Sequence, residues 1–440
     1  MGRILFSLLL AGVFALPVFG QSLQSRIESY KLANGLKVIL LEDHDIPNVA
    51  LYTFFRVGSR NERPGLTGVS HFIEHMMFNG TAKVGPGQFD RNMEFVGGAN
   101  NAYTAQDMTA YSDWFPAAAL EKMVEMEADR MQGAAFVPEV LESERGVVAS
   151  ERRMSTENNN AAILMENVNA TSIMAHPYHW DVIGWMSDIL SWKREQIQEY
   201  YKTYYAPNNA VLVLVGDFKK STAKSLIEKY YTPIPSGKTP SAVTTVEPPQ
   251  QGLKQVLVKK EAQAPLYMAV WHTPSVSQPG FYPLSLLDKI LMKGESSRLY
   301  RRLVREERIA LDVSGGIQET LDPYLFTVFV EAVPGADLGK IDRIVEEEMG
   351  KVVREGVTEK EVQKAINMVQ NDFYRPLQTI AGLANALGQA ELVNGDYQKL
   401  FSLMESYKAV TPDSIKAISS QTFTLNNKTV GNLVPEGGAQ

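Results

Sequence analysis

The sequence predicts an α+β fold of two homologous α/β sandwich domains, each with helices packed on a mostly antiparallel sheet. Its 440 residues, 45% of them hydrophobic and 21% charged, suit a folded protein with more than one domain. Residues 232–252 carry five prolines and divide the chain into halves of similar size. Ile197 is followed eleven residues later by Asn208 and a strand, and Ile415 is followed eleven residues later by Asn426 and a weaker strand. The halves are therefore predicted to be copies of one plan.

The elements of the first half follow from its residue spacing. Residues 38–41 and 49–55 are rich in β-forming residues and are predicted to be strands. Residues 67–78 are predicted to be helical, 103–114 extended, and 117–132 helical from their apolar spacing. Strands interrupted by runs of helices favour a sheet with helices on one face.

The N-terminus has the pattern of a secretory signal peptide over residues 1–20, in which Arg3 precedes an apolar stretch. This stretch is short for a membrane span, so an uncleaved anchor is the less favoured alternative. The rest of the chain is divided into an N-terminal domain (21–231), a linker (232–252) and a C-terminal domain (253–440). We expect a secreted, periplasmic protein with no membrane span after signal cleavage.

Composition excludes several classes of function. The chain has no cysteine, which rules out disulfides, thiolate nucleophiles and cysteine-ligated zinc. Its formal net charge is −7, and its lysines and arginines form no dense cluster. Binding to nucleic acid needs such a cluster, so we expect no nucleic-acid partner.

A metal-binding pattern occurs at residues 71–75, where His71, Glu74 and His75 are spaced as H-x-x-E-H. On a helix, residues four apart lie on one face, so both histidines can bind one zinc ion. Glu74 would lie beside that ion and accept a proton from the attacking water. This order is the inverted form of the H-E-x-x-H zinc peptidase motif. Two surface or capping histidines beside a glutamate are the weaker interpretation, because the chain has only six histidines.

A zinc site needs a third protein ligand, and residues 141–154 form a predicted helix that offers one. Glu144, Val148 and Glu151 share one face of this helix. Glu151 would complete the zinc ligands, while Glu144 would bond a ligand histidine and fix its tautomer. A solvated charged face, with neighbouring arginines, explains the same spacing.

The remaining histidines give weaker signals. His176 and His179 flank a proline, so they do not form two ligands on one helical face. A loop packed on Tyr178 and Trp180 is the favoured interpretation of this segment.

Four segments carry a wider similarity, namely residues 34–36, 65–78, 101–104 and 144–151. They resemble the M16 metallopeptidases, the group of pitrilysin, insulysin and mitochondrial processing peptidase, over nearly all of the mature chain. The resemblance implies a zinc-dependent endopeptidase with one Zn²⁺ per chain, and it places the third ligand on Glu151 and its supporting carboxylate on Glu144.

The resemblance also implies how a peptide substrate is held. Two halves would face each other as a clamshell chamber, of which this chain supplies one half. The peptide would add as a strand beside Asn101, Ala102 and Tyr103. Ordinary sheet core is the alternative for this segment.

The second half resembles a degenerate copy, with Ser285, Asp288 and Lys289 opposite the zinc motif. Family members usually pair an arginine with a tyrosine facing the zinc; Arg298 fits the first, but Asp312 occupies the place of the second. We therefore expect a heterodimer with a zinc-lacking homologue, with a homodimer as the alternative. A noncatalytic assembly subunit and a zinc hydrolase with a non-peptide substrate are rival functions.

Overall fold

The computed structural model describes residues 19–436; the predicted signal peptide lies outside them except for its last two residues. The strands of the described residues are β1 (Ile27–Lys31), β2 (Lys37–Glu42), β3 (Asn48–Phe55), β4 (Ala99–Thr104), β5 (Thr109–Pro116), β6 (Ala210–Gly216), β7 (Lys254–Lys260), β8 (Leu266–Thr273), β9 (Ala310–Ile317), β10 (Tyr324–Ala332) and β11 (Lys428–Pro435). The α-helices there are α1 (Phe19–Arg26), α2 (Val69–Met76), α3 (Gln88–Phe95), α4 (Leu120–Gly133), α5 (Pro138–Arg152), α6 (Asn160–Ser172), α7 (Met186–Ile189), α8 (Arg194–Tyr204), α9 (Lys220–Tyr231), α10 (Phe281–Met292), α11 (Arg298–Tyr300), α12 (Leu338–Glu355), α13 (Glu359–Tyr374), α14 (Ile380–Val393), α15 (Leu403–Lys408) and α16 (Pro412–Thr422).

The strands form two sheets with matching topology. The first has the order β1-β2-β6-β3-β5-β4 and the second β7-β11-β8-β10-β9. In each sheet the terminal strand of its half pairs in parallel with the first long strand, β6 with β2 and β11 with β7. The neighbouring pairs are antiparallel. Without β1 the two orders correspond strand by strand, so the predicted α+β fold with two homologous halves is confirmed.

One face of each sheet is covered by helices of the same half. On the first sheet, α2, α4, α8 and α9 bury Phe72, Val124, Ile197 and Ile227. On the second, α10, α12 and α16 bury a corresponding set that includes Leu287, Val345 and Ile415. Burial of this apolar surface is the main stabilising contribution in both halves.

The opposite face of each sheet is covered by a helix from the other half. Helix α14 packs Leu383 and Leu387 on the first sheet, and α6 packs Leu164 and Val168 on the second. Gly388 of α14 allows this approach, because a Cβ there would lie 2.0 Å from the ring of Phe54. The expectation that helices cover only one face of each sheet is therefore wrong. An apolar helix face does not encode which of two similar sheets it will cover.

The predicted extended segment 103–114 contains a hairpin. Strands β4 and β5 pair with Thr104 opposite Thr109, and Ala105 N donates to the carbonyl of Met108 at 2.8 Å. The chain reverses at residues 105–108, which lack the glycine or asparagine of the common hairpin turns. The other predicted strands and helices of the first half occur at their expected places.

The proline-rich segment 232–252 has no regular strand or helix beyond the turn that ends α9, and many of its residues are exposed. Glu247 anchors it, since its carboxylate accepts backbone hydrogen bonds from Met174, Ala175 and His176 at 2.8–2.9 Å. Among the helices of residues 19–436, none combines the length and apolar character needed to cross a bilayer.

Candidate metal centre

The motif residues lie on helix α2, which begins after Gly68 in the left-handed conformation (φ 82°). Its first turn is held by Glu62, whose buried carboxylate accepts hydrogen bonds from Gly68 N at 2.7 Å and Ser70 N at 2.8 Å. A carboxylate at a helix N-terminus satisfies free N–H groups and complements the helix dipole. The apolar residues of α2 are buried, which leaves His71 and Glu74 facing a cavity and His75 beside them on the same helix.

Glu151 approaches from α5, a helix that begins at Pro138 in the first turn, where proline is favoured. Val148 and Ala149 fix the helix in the core, while the Glu151 side chain stays 42% exposed. Directly after α5, residues 153–157 form a π-helical turn. Such turns are frequent at functional sites because they redirect side chains.

Three side chains converge on one point. His71 Nε2 lies 3.7 Å from Glu151 Oε1, and His75 Nε2 lies 3.5 Å from Glu151 Oε2. The three potential ligand atoms lie within 4.8 Å of one another. Two ligands of a tetrahedral zinc ion, each about 2.1 Å from the metal, lie about 3.4 Å apart. The two separations between a histidine nitrogen and a Glu151 oxygen are close to that edge length, so the donor set fits zinc.

Glu144 supports this arrangement from a position two turns before Glu151 on α5. Its Oε1 lies 2.8 Å from His75 Nδ1, and its Oε2 accepts a hydrogen bond from Asn79 at 2.9 Å. The hydrogen bond with His75 lowers the pKa of Glu144, so the carboxylate is ionised. Nδ1 of His75 then carries a proton and Nε2 is directed toward Glu151. His71 Nδ1, in contrast, is buried with no hydrogen-bond partner among residues 19–436.

The two histidines have opposite pKa shifts in the metal-free protein. Burial, with a smaller contribution from His75, lowers the pKa of His71 to about 4. Burial also disfavours protonated His75, but the hydrogen bond with Glu144 and the negative charges of Glu144, Glu151 and Glu74 together outweigh it and raise the pKa of His75 above its ordinary value. His71 is therefore neutral at pH 7, the form in which imidazole binds a metal.

Glu74 lies between the histidines and strand β4. Thr104 donates a hydrogen bond to its Oε2 at 2.5 Å. Burial raises the pKa of Glu74, and the bond from Thr104 partly opposes this. A carboxylate with a raised pKa is a stronger base than an exposed one, which suits proton transfer near neutral pH.

Asn101, Ala102 and Tyr103 lie on β4, at the end of the first sheet, and β5 is its only partner among the described strands. Ala102 and Tyr103 line the same cavity as His71 and Glu74. The structure thus brings the predicted strand segment and the metal-ligand residues together, with a backbone edge free for pairing.

Arg298 lies in the other half of the chain. Its guanidinium makes two hydrogen bonds to Glu361, at 2.7 and 2.8 Å. Asp312 is exposed on β9, at the end of the second sheet. Neither residue lines the metal cavity of its own chain, so their action across a dimer stays a prediction.

Two arginines of α5 are buried, whereas the alternative interpretation of the sequence placed them on a solvated charged face. Arg145 is buried and donates to the carbonyl of Trp192 at 2.8 Å. Arg152 is buried beside Glu151, with a two-pronged contact to Glu166 at 2.9 and 3.1 Å and a hydrogen bond to the Gly184 carbonyl at 2.6 Å. Sequence reasoning missed this role, because an arginine next to a ligand has no spacing rule of its own.

His176 also lies where the favoured interpretation put it, in a packed loop. It is buried, accepts a hydrogen bond from Tyr178 N at 3.2 Å, and lies 3.1 Å from Asp322. Neither His176 nor His179 is in the group of potential ligands formed by the described residues.

Two family models match this chain in succession. The model described as insulinase (peptidase family M16) matches residues 37–184, and the model described as the peptidase M16 inactive domain matches residues 191–369. The chain belongs to peptidase family M16. The description of the second model as an inactive domain agrees with the position of the potential metal ligands, which among the described residues lie in the first half.

Relatives of this M16 protein span its whole length. Zinc protease PqqE of Helicobacter pylori is 27% identical over 94% of each chain, and the uncharacterised zinc protease YmxG of Bacillus subtilis is 23% identical over 90% of this chain and 96% of its own. A crystal structure of a Helicobacter pylori protease has a TM-score of 0.88 with 28% identity, covering 93% of this chain and 99% of the other. The periplasmic protease PqqL of Escherichia coli shares the fold at a TM-score of 0.75 and 18% identity, with 93% of this chain matching 47% of that one.

Proposed function

We propose that this M16 protein is a zinc-dependent endopeptidase that hydrolyses peptides or small unfolded proteins. The observation that carries the proposal is the convergence of His71 Nε2, His75 Nε2 and the Glu151 carboxylate at the spacing of zinc ligands. The zinc ion, when bound, would act as a Lewis acid that makes water acidic and polarises a carbonyl group. Such chemistry on a peptide bond agrees with the names of the relatives.

Glu74 is the proposed general base. It shares the cavity with His71 and Glu151. Thr104 holds one carboxylate oxygen, so the other is oriented into the cavity to take a proton from water. After bond cleavage the same carboxyl group can return the proton to the leaving amine.

The proposed substrate contact is strand addition at β4. Its outer edge has no partner strand among the described residues, so its backbone groups can pair with an extended peptide. Because Tyr103 and Thr104 lie next to Glu74, a peptide paired there would pass beside the metal ligands. Backbone pairing favours peptides over non-peptide substrates and gives little sequence selectivity by itself.

The chain is also proposed to work as one half of a chamber closed by a second M16 subunit. Its two-sheet unit matches 47% of the Escherichia coli PqqL chain, a fold similarity to about half of a longer protein. The second subunit would enclose the peptide and exclude water from the cavity. A noncatalytic role is less well supported, because the complete ligand set and Glu74 are present in this chain.

The decisive experiment combines metal analysis with peptide hydrolysis. The chain from residue 21 onward is purified after growth with zinc, its metal content is measured, and a mixed peptide library is digested and analysed by mass spectrometry. We expect one zinc ion per chain and cleavage within peptides that stops on chelation and returns with added zinc. A zinc-loaded protein that leaves every peptide intact, alone or with a co-expressed homologue, would refute the proposal.

A further inference from the structure

The metal cavity extends beyond the three ligands and Glu74. It has a volume of about 370 Å³, and its lining includes Ser155 and Thr156 of the π-helical turn and Asp181, Val182 and Ile183 of a loop. A space of this size can take a peptide side chain in addition to the reacting bond. Strand β4 lines the same cavity, so a peptide paired with β4 would direct alternate side chains into it.

The loop that carries Asp181 is firmly placed relative to the metal ligands. Gly184 N donates to the carbonyl of Asp181 at 3.0 Å, and Arg152, the neighbour of Glu151, donates to the carbonyl of Gly184 at 2.6 Å. Gly184 also packs closely on the start of the motif helix, because a Cβ there would lie 2.3 Å from the carbonyl carbon of Thr67. The Asp181 carboxylate is therefore presented by a preorganised segment.

The charges of the cavity are unbalanced. Its ionisable lining contains three carboxylates, Glu74, Glu151 and Asp181, and no lysine or arginine. With zinc bound by two neutral histidines and Glu151, the ion and its ligands together carry one positive charge, which Glu74 balances. Asp181 remains. Its Oδ1 accepts a hydrogen bond from Val182 N at 2.7 Å, and none of the described lysines or arginines lines the cavity beside it.

We propose that Asp181 is a specificity-determining residue that selects a lysine or arginine side chain in the substrate, next to the bond that is cut. This inference rests on the proposed peptidase function and defines its substrate class. Asp181 is exposed to the cavity, so a cationic side chain can reach it without displacing the loop. A charge-assisted hydrogen bond to a preorganised carboxylate favours the basic side chain over an uncharged one of equal length by about tenfold.

The test uses the zinc-loaded chain, with its partner subunit if activity requires one. Peptides that differ by lysine, methionine or glutamate at each of the positions around the cut bond are compared by kcat/KM. For the wild type, kcat/KM is expected to be about tenfold higher with lysine than with methionine at one of these peptide positions, or at two positions that are two residues apart. Asp181→Asn, which keeps an oxygen for Val182 N, should abolish the preference, and Asp181→Lys should transfer it to glutamate. Asp45→Asn removes the same charge from an exposed loop that does not line the cavity, and it should leave the preference unchanged.

A binding measurement separates this inference from the proposed function. In the Glu74→Gln background, fluorescence anisotropy of labelled lysine and methionine peptides reports affinity without cleavage. Lysine-selective binding that disappears with Asp181→Asn supports the inference even where no peptide is cut. Cleavage or binding with no preference for a basic side chain, or with a preference that survives Asp181→Asn, overturns it while leaving the peptidase proposal intact.

Discussion

Glu144 Oε1 lies 2.8 Å from His75 Nδ1, and the second oxygen of the same carboxylate accepts a hydrogen bond from Asn79. Glu144 and Glu151 are seven residues apart on α5, two turns along one face. One helix therefore supplies a proposed metal ligand and the group that orients another proposed ligand. Changes at these two carboxylates should have different effects.

Replacement of Glu151 should impair zinc binding more than replacement of Glu144. Glu151→Gln removes a carboxylate ligand, and an amide oxygen is a poor ligand for zinc. Glu144→Gln leaves the three ligands in place and keeps an oxygen for His75 Nδ1, but it removes the charge that strengthens this orienting bond, which should weaken zinc binding by about ten- to a hundredfold. Zinc affinity is measured by competition with a chromogenic chelator. Equal affinities for Glu151→Gln and wild type would require another third ligand.

Replacement of Glu74 should separate catalysis from metal binding. Glu74→Gln keeps the hydrogen bond with Thr104 but cannot accept a proton, so kcat should fall by about a hundred- to ten-thousandfold. Zinc content and thermal stability should stay near wild type. Steady-state kinetics and metal analysis of the same preparation check both parts. Wild-type turnover in this variant would remove Glu74 from the mechanism.

The position of the edge strand β4 should depend on the second half of the chain, because Tyr103 of β4 bonds to helix α14. Its hydroxyl donates to Asn385 at 3.2 Å and accepts from Gln389 at 3.1 Å, both on α14. Tyr103→Phe should raise KM for peptides severalfold with a smaller change in kcat, because β4 is held less firmly while the metal ligands are untouched. Gln389→Ala should act similarly, and the double variant should be no worse than the more impaired single one. Fully additive effects would show that the two residues act independently.

The contact between the halves should give an acid-dependent stability. Burial opposes ionisation of Asp322, but hydrogen bonds from His176 and Arg60 outweigh it and lower its pKa to about 2, from an ordinary value of 3.8. A carboxylate whose pKa is lower in the folded state stabilises the fold above its unfolded pKa, and this contribution is lost as the pH falls from about 4 to 2.

Metal-free protein in chelator should therefore show a Tm that drops over this pH range, and Asp322→Asn should have a lower Tm at pH 6 and a shallower drop. Differential scanning fluorimetry from pH 2 to 6 measures both. Asp45→Asn, at an exposed position, serves as the matched control and should follow the wild type. If the Tm of Asp322→Asn fell with pH as steeply as that of the wild type, groups other than Asp322 would be responsible for the acid sensitivity.

Assembly should affect activity. Arg298 is engaged by Glu361, and Asp312 stands where a phenol that can donate a hydrogen bond is expected. We therefore expect the chain alone to turn over peptides weakly, and a co-expressed homologue without the zinc ligands to raise this rate. Light scattering after size exclusion gives the mass in solution beside each assay. A stable homodimer with full activity would contradict the heterodimer.

The sequence predicted those parts of the site that depend on local spacing. His71, Glu74 and His75 are fixed by one helix, so helical periodicity suffices to place them on one face. Glu144 and Glu151 follow from the periodicity of α5 together with the family resemblance. The repeated pattern that follows Ile197 and Ile415 also predicted that the two halves share one plan.

The contacts that sequence reasoning missed join distant parts of the chain. The bond from Thr104 to Glu74 depends on how the β4–β5 hairpin lies over α2, and the reversal at residues 105–108 lacks the usual turn residues. The pairing of Arg152 with Glu166 depends on the packing of α5 against α6. The sequence around a long polar side chain does not show whether its polar end bonds to a buried partner or to water, because either one satisfies the same donors and acceptors.

The exchange of α6 and α14 between the sheets has a consequence for how the chain folds. In each half, one face of the sheet is uncovered unless the other half is present. A fragment that stops in residues 232–252 would therefore expose the apolar surface formed by Val213, Phe54 and their neighbours. Such a surface promotes aggregation. Proteolytic cleavage in the same segment should instead leave two fragments that remain associated. The two fragments should then unfold together in a single thermal transition. The two similar halves therefore depend on each other for the apolar cover of their sheets.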